Sequence, residues 1–405
     1  MKRLLLASAA AIAVAAPAQA ELSAQIGADG IRPTLETLES IAVPTPSDQF
    51  AIGGLRFLNA IERALQTRYR FGMSGVMTES LGIPILRLPI DDNPAPDPFD
   101  PAVVEQMFAD TVIDLGLALD ALDTIIDADA VGLTIDTADL WFDINMNGAR
   151  DPGEDLLNVA GLTLNRGMGG SFVPPTIRFD TADAAWLAAY AHLLSGVSEV
   201  VLAFHPAPAI ARVQDAVARM RVLDPPGGVK NEDNPYSYDD TAMFADYADL
   251  AAMVIYAIEQ QPDAALSRSA LAHFQGMITD NRTFWDRVAR ETDNDAEWIP
   301  NKNQKSALPI PFPPDTGNAW RKVLADAEGV LNGTLLIPHW RFGDGTGINL
   351  AKLMEDPPPV DIVGFVQGVS LLPYVETGRL VSADSLTRFE QMMQGDAGLY
   401  MVVLN

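Results

Sequence analysis

The chain has 405 residues, no cysteine and a formal net charge of −27 at pH 7. Without thiols there are no disulfides, no thiolate nucleophile and no cysteine metal site, so stability must come from the core and from any bound ion. An acidic surface of this strength repels phosphate backbones and anionic lipid, which excludes nucleic acid as a partner.

Lys2 and Arg3 precede an apolar run, Leu4 to Ala16, and Ala18-Gln19-Ala20 follows as a small-x-small site. This pattern predicts a secretory signal peptide over 1–20, a mature chain starting near Glu21, and a periplasmic or secreted location. No later stretch reaches about 18 uninterrupted apolar residues, so no membrane span is expected in the mature chain.

The mature chain reads as mainly α: one large exported helical domain over 21–405, with a small β-like insertion. Leu35, Leu38 and Ile41 space a first helix that Pro44-Thr45-Pro46 stops. Ser47 stands as the N-cap of a second helix reaching about Tyr69. Arg56, Arg63, Arg68 and Arg70 make this the most basic element, and a face paired with neighbouring acids is expected. Residues 86–100 form a connection rich in proline and aspartate. Asp100 then caps a helix that Pro101 begins. Residues 128–142 alternate like a strand and lead into an acidic loop. Thr181 opens the clearest helix, with Trp186, Leu187, Tyr190, Leu193, Leu194, Val197, Val200 and Val201, apolar most of the way round and therefore central. Pro225-Pro226-Gly227-Gly228 and the polar run to Asp240 mark a boundary or long loop near 224–240. Helices are predicted over 241–260, from 267 to about 291 and over 319–331, a strand and turn over 335–349, and a last helix near Asp384–Met393. Asp92-Asn93-Pro94 with Met107-Phe108-Ala109-Asp110 echoes Asp233-Asn234-Pro235 with Met243-Phe244-Ala245-Asp246, which raises the expectation of two related helical halves.

The acidic loop carries the most specific chemistry. A hard cation such as Ca2+ takes about six to eight oxygens, which a twelve-residue loop supplies from positions 1, 3, 5, 7, 9 and 12, with glycine at 6. Here those positions are Asp143, Asn145, Asn147, the Ala149 carbonyl, Asp151 and Glu154, with Gly148 at the turn. Over 138–164 the stretch resembles the EF-hand calcium loop. It is more similar to the shortened loops of dockerins and bacterial surface adhesins, whose strand–loop–strand form the flanking Leu140-Trp141-Phe142 and Val159 to Leu164 share. Arg150 at position 8 and Pro152-Gly153 depart from a paired EF-hand with a regular exiting helix. The resemblance implies one structural Ca2+ and extends to no other part of the chain.

No serine-hydrolase elbow, phosphate loop or H-E-x-x-H motif is present. His192 and His205 are too far apart for a one-turn metal pair, and each reads as a core or helix-end histidine. His339-Trp340-Arg341 with Asp344 combines a base, an aromatic platform, a cation and an acid, although a structural turn with Trp340 in the core explains the same residues. No catalytic residue is assigned, and an enzyme is the less favoured class. The leading expectation is an exported, calcium-stabilised helical protein of binding or scaffold type. The alternative is a periplasmic hydrolase assembled around His339, Arg341 and Asp344.

Overall fold

The computed structural model describes residues 21–74, 82–156, 159, 173–222, 238–308, 310–394 and 397–404. It is 58% helix and 7% strand, the mainly α fold with small β additions that the sequence predicts. The signal-peptide reading over 1–20 and most of the 224–240 boundary lie outside the described residues, as does the Asp233-Asn234-Pro235 half of the echo.

Helix α1 (21–29) ends at Gly30, whose φ of 86° only glycine adopts without strain, and α2 (Ile31–Glu39) follows. A side chain at Gly30 would also press on the Trp141 ring, 3.1 Å from its Cβ. Helix α3 (Pro46–Arg70) starts two residues earlier than predicted. Thr45, with Asp48, forms the capping box, while the Ser47 hydroxyl accepts from Gly132 N at 3.1 Å. The expected pairing of its arginines is present: Arg56 meets Glu39, Arg63 meets Asp110 and Asp114, and Arg70 meets Asp97. Arg68 differs from these three. It is fully buried and donates to the carbonyls of Met73, Ile85 and Leu88, fixing the segment after α3.

Helix α4 (Ala102–Leu122) is capped by Asp100, whose carboxylate accepts from Ala102 N. Strand β1 (Gly132–Asp136) pairs antiparallel with β2 (Thr176–Asp180), Leu133 opposite Phe179 and Ile135 opposite Ile177. Between them lies the acidic loop. Asp180 and Asp183 then form a capping box on α5 (Thr181–Ala203). This helix is apolar and long enough to cross a bilayer, but most of it is buried in the protein. The described residues therefore contain no clear membrane span. Helices α6 (Pro206–Arg221), α7 (Tyr238–Ile258) and α8 (Ala264–Val288) follow, and α5 against α8 is the most extensive helix pairing.

Beyond α8 come α9 (Thr316–Leu331) and a small antiparallel sheet, β3 (Ile337–Pro338), β4 (Thr346–Ile348) and β5 (Val375–Thr377), in the order β3-β4-β5. Helices α10 (Leu350–Glu355) and α11 (Ile362–Gln367) separate its last two strands. The chain ends in α12 (Asp384–Met392) and α13 (Ala397–Leu404). One apolar core gathers α1 to α5 with β1. A second gathers α8, α9, α12 and α13, and Phe179 and Trp186 pack against both.

Candidate binding site

The acidic loop is held at both ends. Trp141 and Phe142 are buried, and the Trp141 indole donates to Ile26 O at 3.1 Å. Phe142 N donates to Glu154 O and Leu156 N to Leu140 O, each at 2.9 Å, which closes the stem. Trp141 pairs antiparallel with Asp155. Leu156 and Val159 beyond it are helical and pack on the core, and residues 160–164 of the expected exit strand lie outside the described residues.

Inside the loop the backbone winds through left-handed conformations at Met146 (φ 62°) and Gly148 (φ 73°). That winding turns successive amides inward. Asp143 accepts from the amides of Asn147 and Gly148, Asn145 Oδ1 from Asn147 N, and Asn147 Oδ1 from Ala149 N. The carboxamides of Asn145 and Asn147 both donate to Asp151 Oδ2 at 2.7 Å. Glu154, only 4% exposed, folds beneath the loop and accepts from the amides of Ile144, Asn145 and Asp151. Arg150 turns outward to Asp155 and Ala138 O.

No local motif marks the loop's floor. Glu62 of α3 accepts from Asp143 N at 2.9 Å, and Gln66 donates to Asp143 O at 2.8 Å. Burial, with the nearby charges of Asp143 and Glu154, pushes the Glu62 carboxyl up to about 7. Burial likewise raises Glu154, and Asp143 adds to the rise. Carboxylates destabilised in this way gain most from a nearby cation.

Next to the loop lies a cavity of about 320 Å³. Leu140, Phe142, Leu156 and Val159 from the loop's flanks form part of its wall. Leu133, Ile135 and Ile177 come from the hairpin, and Leu187 and Leu194 from α5. Six of the lining residues form a chain of ring contacts: Phe50–Phe179 (5.6 Å), Phe179–Trp298 (6.1 Å), Trp298–Trp186 (5.3 Å), Trp186–Tyr190 (5.6 Å) and Tyr190–Phe57 (5.8 Å). The chain begins and ends on α3. The space is roughly twice an engineered apolar void of about 150 Å³ that takes up benzene, and it matches the lower end of small-ligand sites, about 300 Å³.

The cavity has few polar groups. Thr137 is satisfied by Pro175 O and the Trp186 indole by Val403 O. The Nε atom of Arg87 and the indole nitrogen of Trp298 are buried without a hydrogen-bond partner.

The His339 constellation does not close. His339 Nδ1 accepts from Arg341 N at 3.3 Å and its ring lies against Phe342, while the Arg341 guanidinium sits over Trp340. Among the described residues no hydrogen bond or ion pair joins His339 to Asp344. Trp340 is 74% exposed and is not a core residue, because its indole is satisfied at the surface by Val366 O.

Two clusters escaped sequence reasoning. His192 pairs with His273 of α8, not with His205, which caps α6. Asp180, Glu291 and Glu297 bring carboxylate oxygens within 4.8 Å of one another, close enough to share one cation. Burial raises all three, Glu291 to about 7. Neither cluster has a sequence signature, since its members come from separate segments.

No family model, no curated protein and no solved structure matches this chain.

Proposed function

We propose that this chain is an exported helical protein of binding type, stabilised by one Ca2+ in the loop 143–154, which holds an apolar small molecule in its interior cavity. The cavity carries this reading. Protein cores pack about as densely as organic crystals, and voids much larger than a water molecule are few. A space of about 320 Å³ walled by six contacting aromatic rings is a pre-formed receptacle, not a packing fault.

The calcium part of the proposal rests on the loop. Asp143, Asn145, Asn147 and Asp151 are tied into one inward-facing network, with Glu154 beneath it. Each carboxamide oxygen that accepts one amide keeps a second lone pair for an ion. The ion would take the place of the two carboxamide N–H groups at Asp151 and offset the raised acids below. Its role is to fix the loop's flanks, which are also the cavity wall.

The test uses the neutral dye N-phenyl-1-naphthylamine. Saturable binding of one dye per chain is expected, and Gly54→Leu should abolish it. Gly54 faces the cavity, and a Cβ there meets only Leu187, at 3.8 Å, so the longer side chain has room to grow into the void. Replacing a helical glycine also favours the folded state by about 1 kcal/mol. Dye binding that is absent in the parent chain, or unchanged in Gly54→Leu, overturns the proposal.

A further inference from the structure

Among the described residues, Arg87 is the one basic residue in the cavity wall. It leaves the segment that Arg68 pins through the carbonyls of Ile85 and Leu88, so its backbone position is fixed from both sides. Its Nε is buried and has no partner, and its guanidinium forms no ion pair among the described residues. By contrast Arg56, Arg63, Arg70, Arg150, Arg282 and Arg287 each reach a carboxylate. Arg87 is half-buried with its Nε shut off from water, and its guanidinium offers a planar fork that fits a carboxylate. The Tyr190 phenol lines the same cavity. Burial raises it, which keeps it in its hydrogen-donating form, and it lies within the field of Arg87.

We infer that the ligand is an anionic amphiphile, a single carboxylate head on an apolar body, with Arg87 holding the head and the aromatic circuit enclosing the body. This inference rests on the cavity reading above and adds the chemical class of the occupant. Thr137 and the Trp186 indole are already bonded, and the unpaired Trp298 indole is a neutral donor that can assist a carboxylate head but supplies no counter-charge.

The experiment compares dodecanoate with dodecanol by calorimetry on the intact chain, at pH 8 and with Ca2+ present. The parent should bind the carboxylate between about tenfold and a hundredfold tighter than the alcohol, the range for a hydrogen bond to a charged group. Arg87→Met keeps the apolar stem and should bring that ratio to about one while leaving dodecanol binding unchanged. Arg87→Lys should retain part of the preference, since the charge stays and the fork is lost. Thermal melting of each variant shows that the chain remains folded. If both ligands bind equally to the parent, or the preference survives Arg87→Met, the inference fails and the cavity reading stands. If neither ligand binds and the neutral dye does not bind, both fail together.

Discussion

The Nδ1 atoms of His192 and His273 lie 2.8 Å apart across the interface of α5 and α8. Such a contact requires one imidazole to donate and the other to accept. The far nitrogen of His192 faces Asp280 at 3.6 Å, and that of His273 faces Glu199 at 3.9 Å. Burial lowers both histidines, His192 to about 4 with His273 contributing. His192 should therefore be neutral at pH 6, as nitrogen-15 spectra of its side chain will show. A charged His192 imidazole at pH 6 contradicts this. The folded chain binds fewer protons here than the unfolded chain. The pair's contribution to stability is thus complete above pH 6.5 and declines as pH falls towards 4.

The same interface leaves no space at Gly276. A Cβ there would lie 2.9 Å from the His192 ring. Gly276→Ala should cost about 1–3 kcal/mol, the range for overpacking, despite the better helix propensity of alanine. Chemical denaturation measures this. An unchanged or raised midpoint would mean that the histidine pair yields easily.

At Glu291 the sign reverses. Burial first, then the charge of Asp180, pushes this carboxyl up to about 7. A raised carboxyl adds stability below about pH 4.5, and that stability is lost as pH rises through 7. Glu291→Gln keeps an oxygen for the Gln304 donor and removes the charge. Its melting temperature should exceed the parent's at pH 8 and approach it at pH 4.5. A variant less stable at pH 8 would show that the charge is compensated in the folded chain.

The calcium reading predicts that EDTA lowers the melting temperature and that Asp143→Ala removes the difference. At a hundredfold excess over the dissociation constant, an ion bound only by the folded state adds about 2.7 kcal/mol. Superimposable melting curves with Ca2+ and with EDTA would remove the ion from the proposal. Trp141 sits on the loop's stem, so its fluorescence gives a second readout.

What could be read in advance was local. The apolar run after Thr181 lies within one stretch of chain, and the helix begins at Thr181. The arginine face of α3 was legible because charge balance demands partners. Thr45, not Ser47, caps α3, and the partner of the Ser47 hydroxyl, Gly132 N, lies 85 residues away, beyond the reach of any local pattern. The aromatic circuit draws on α3, β2, α5 and the segment after α8, and no period or motif connects four such places. Arg87 lies in a proline-rich connection without any motif, and only the fold brings it to the cavity wall.

Helix α3 acts as a single stiff rod. Its Glu62 and Gln66 brace the loop from below, while Phe50 and Phe57 anchor the two ends of the aromatic circuit. A regular helix transmits displacement along its axis instead of absorbing it. Tilting the rod to widen the cavity mouth would drag the brace from under Asp143, so neither end can shift while the other stays still.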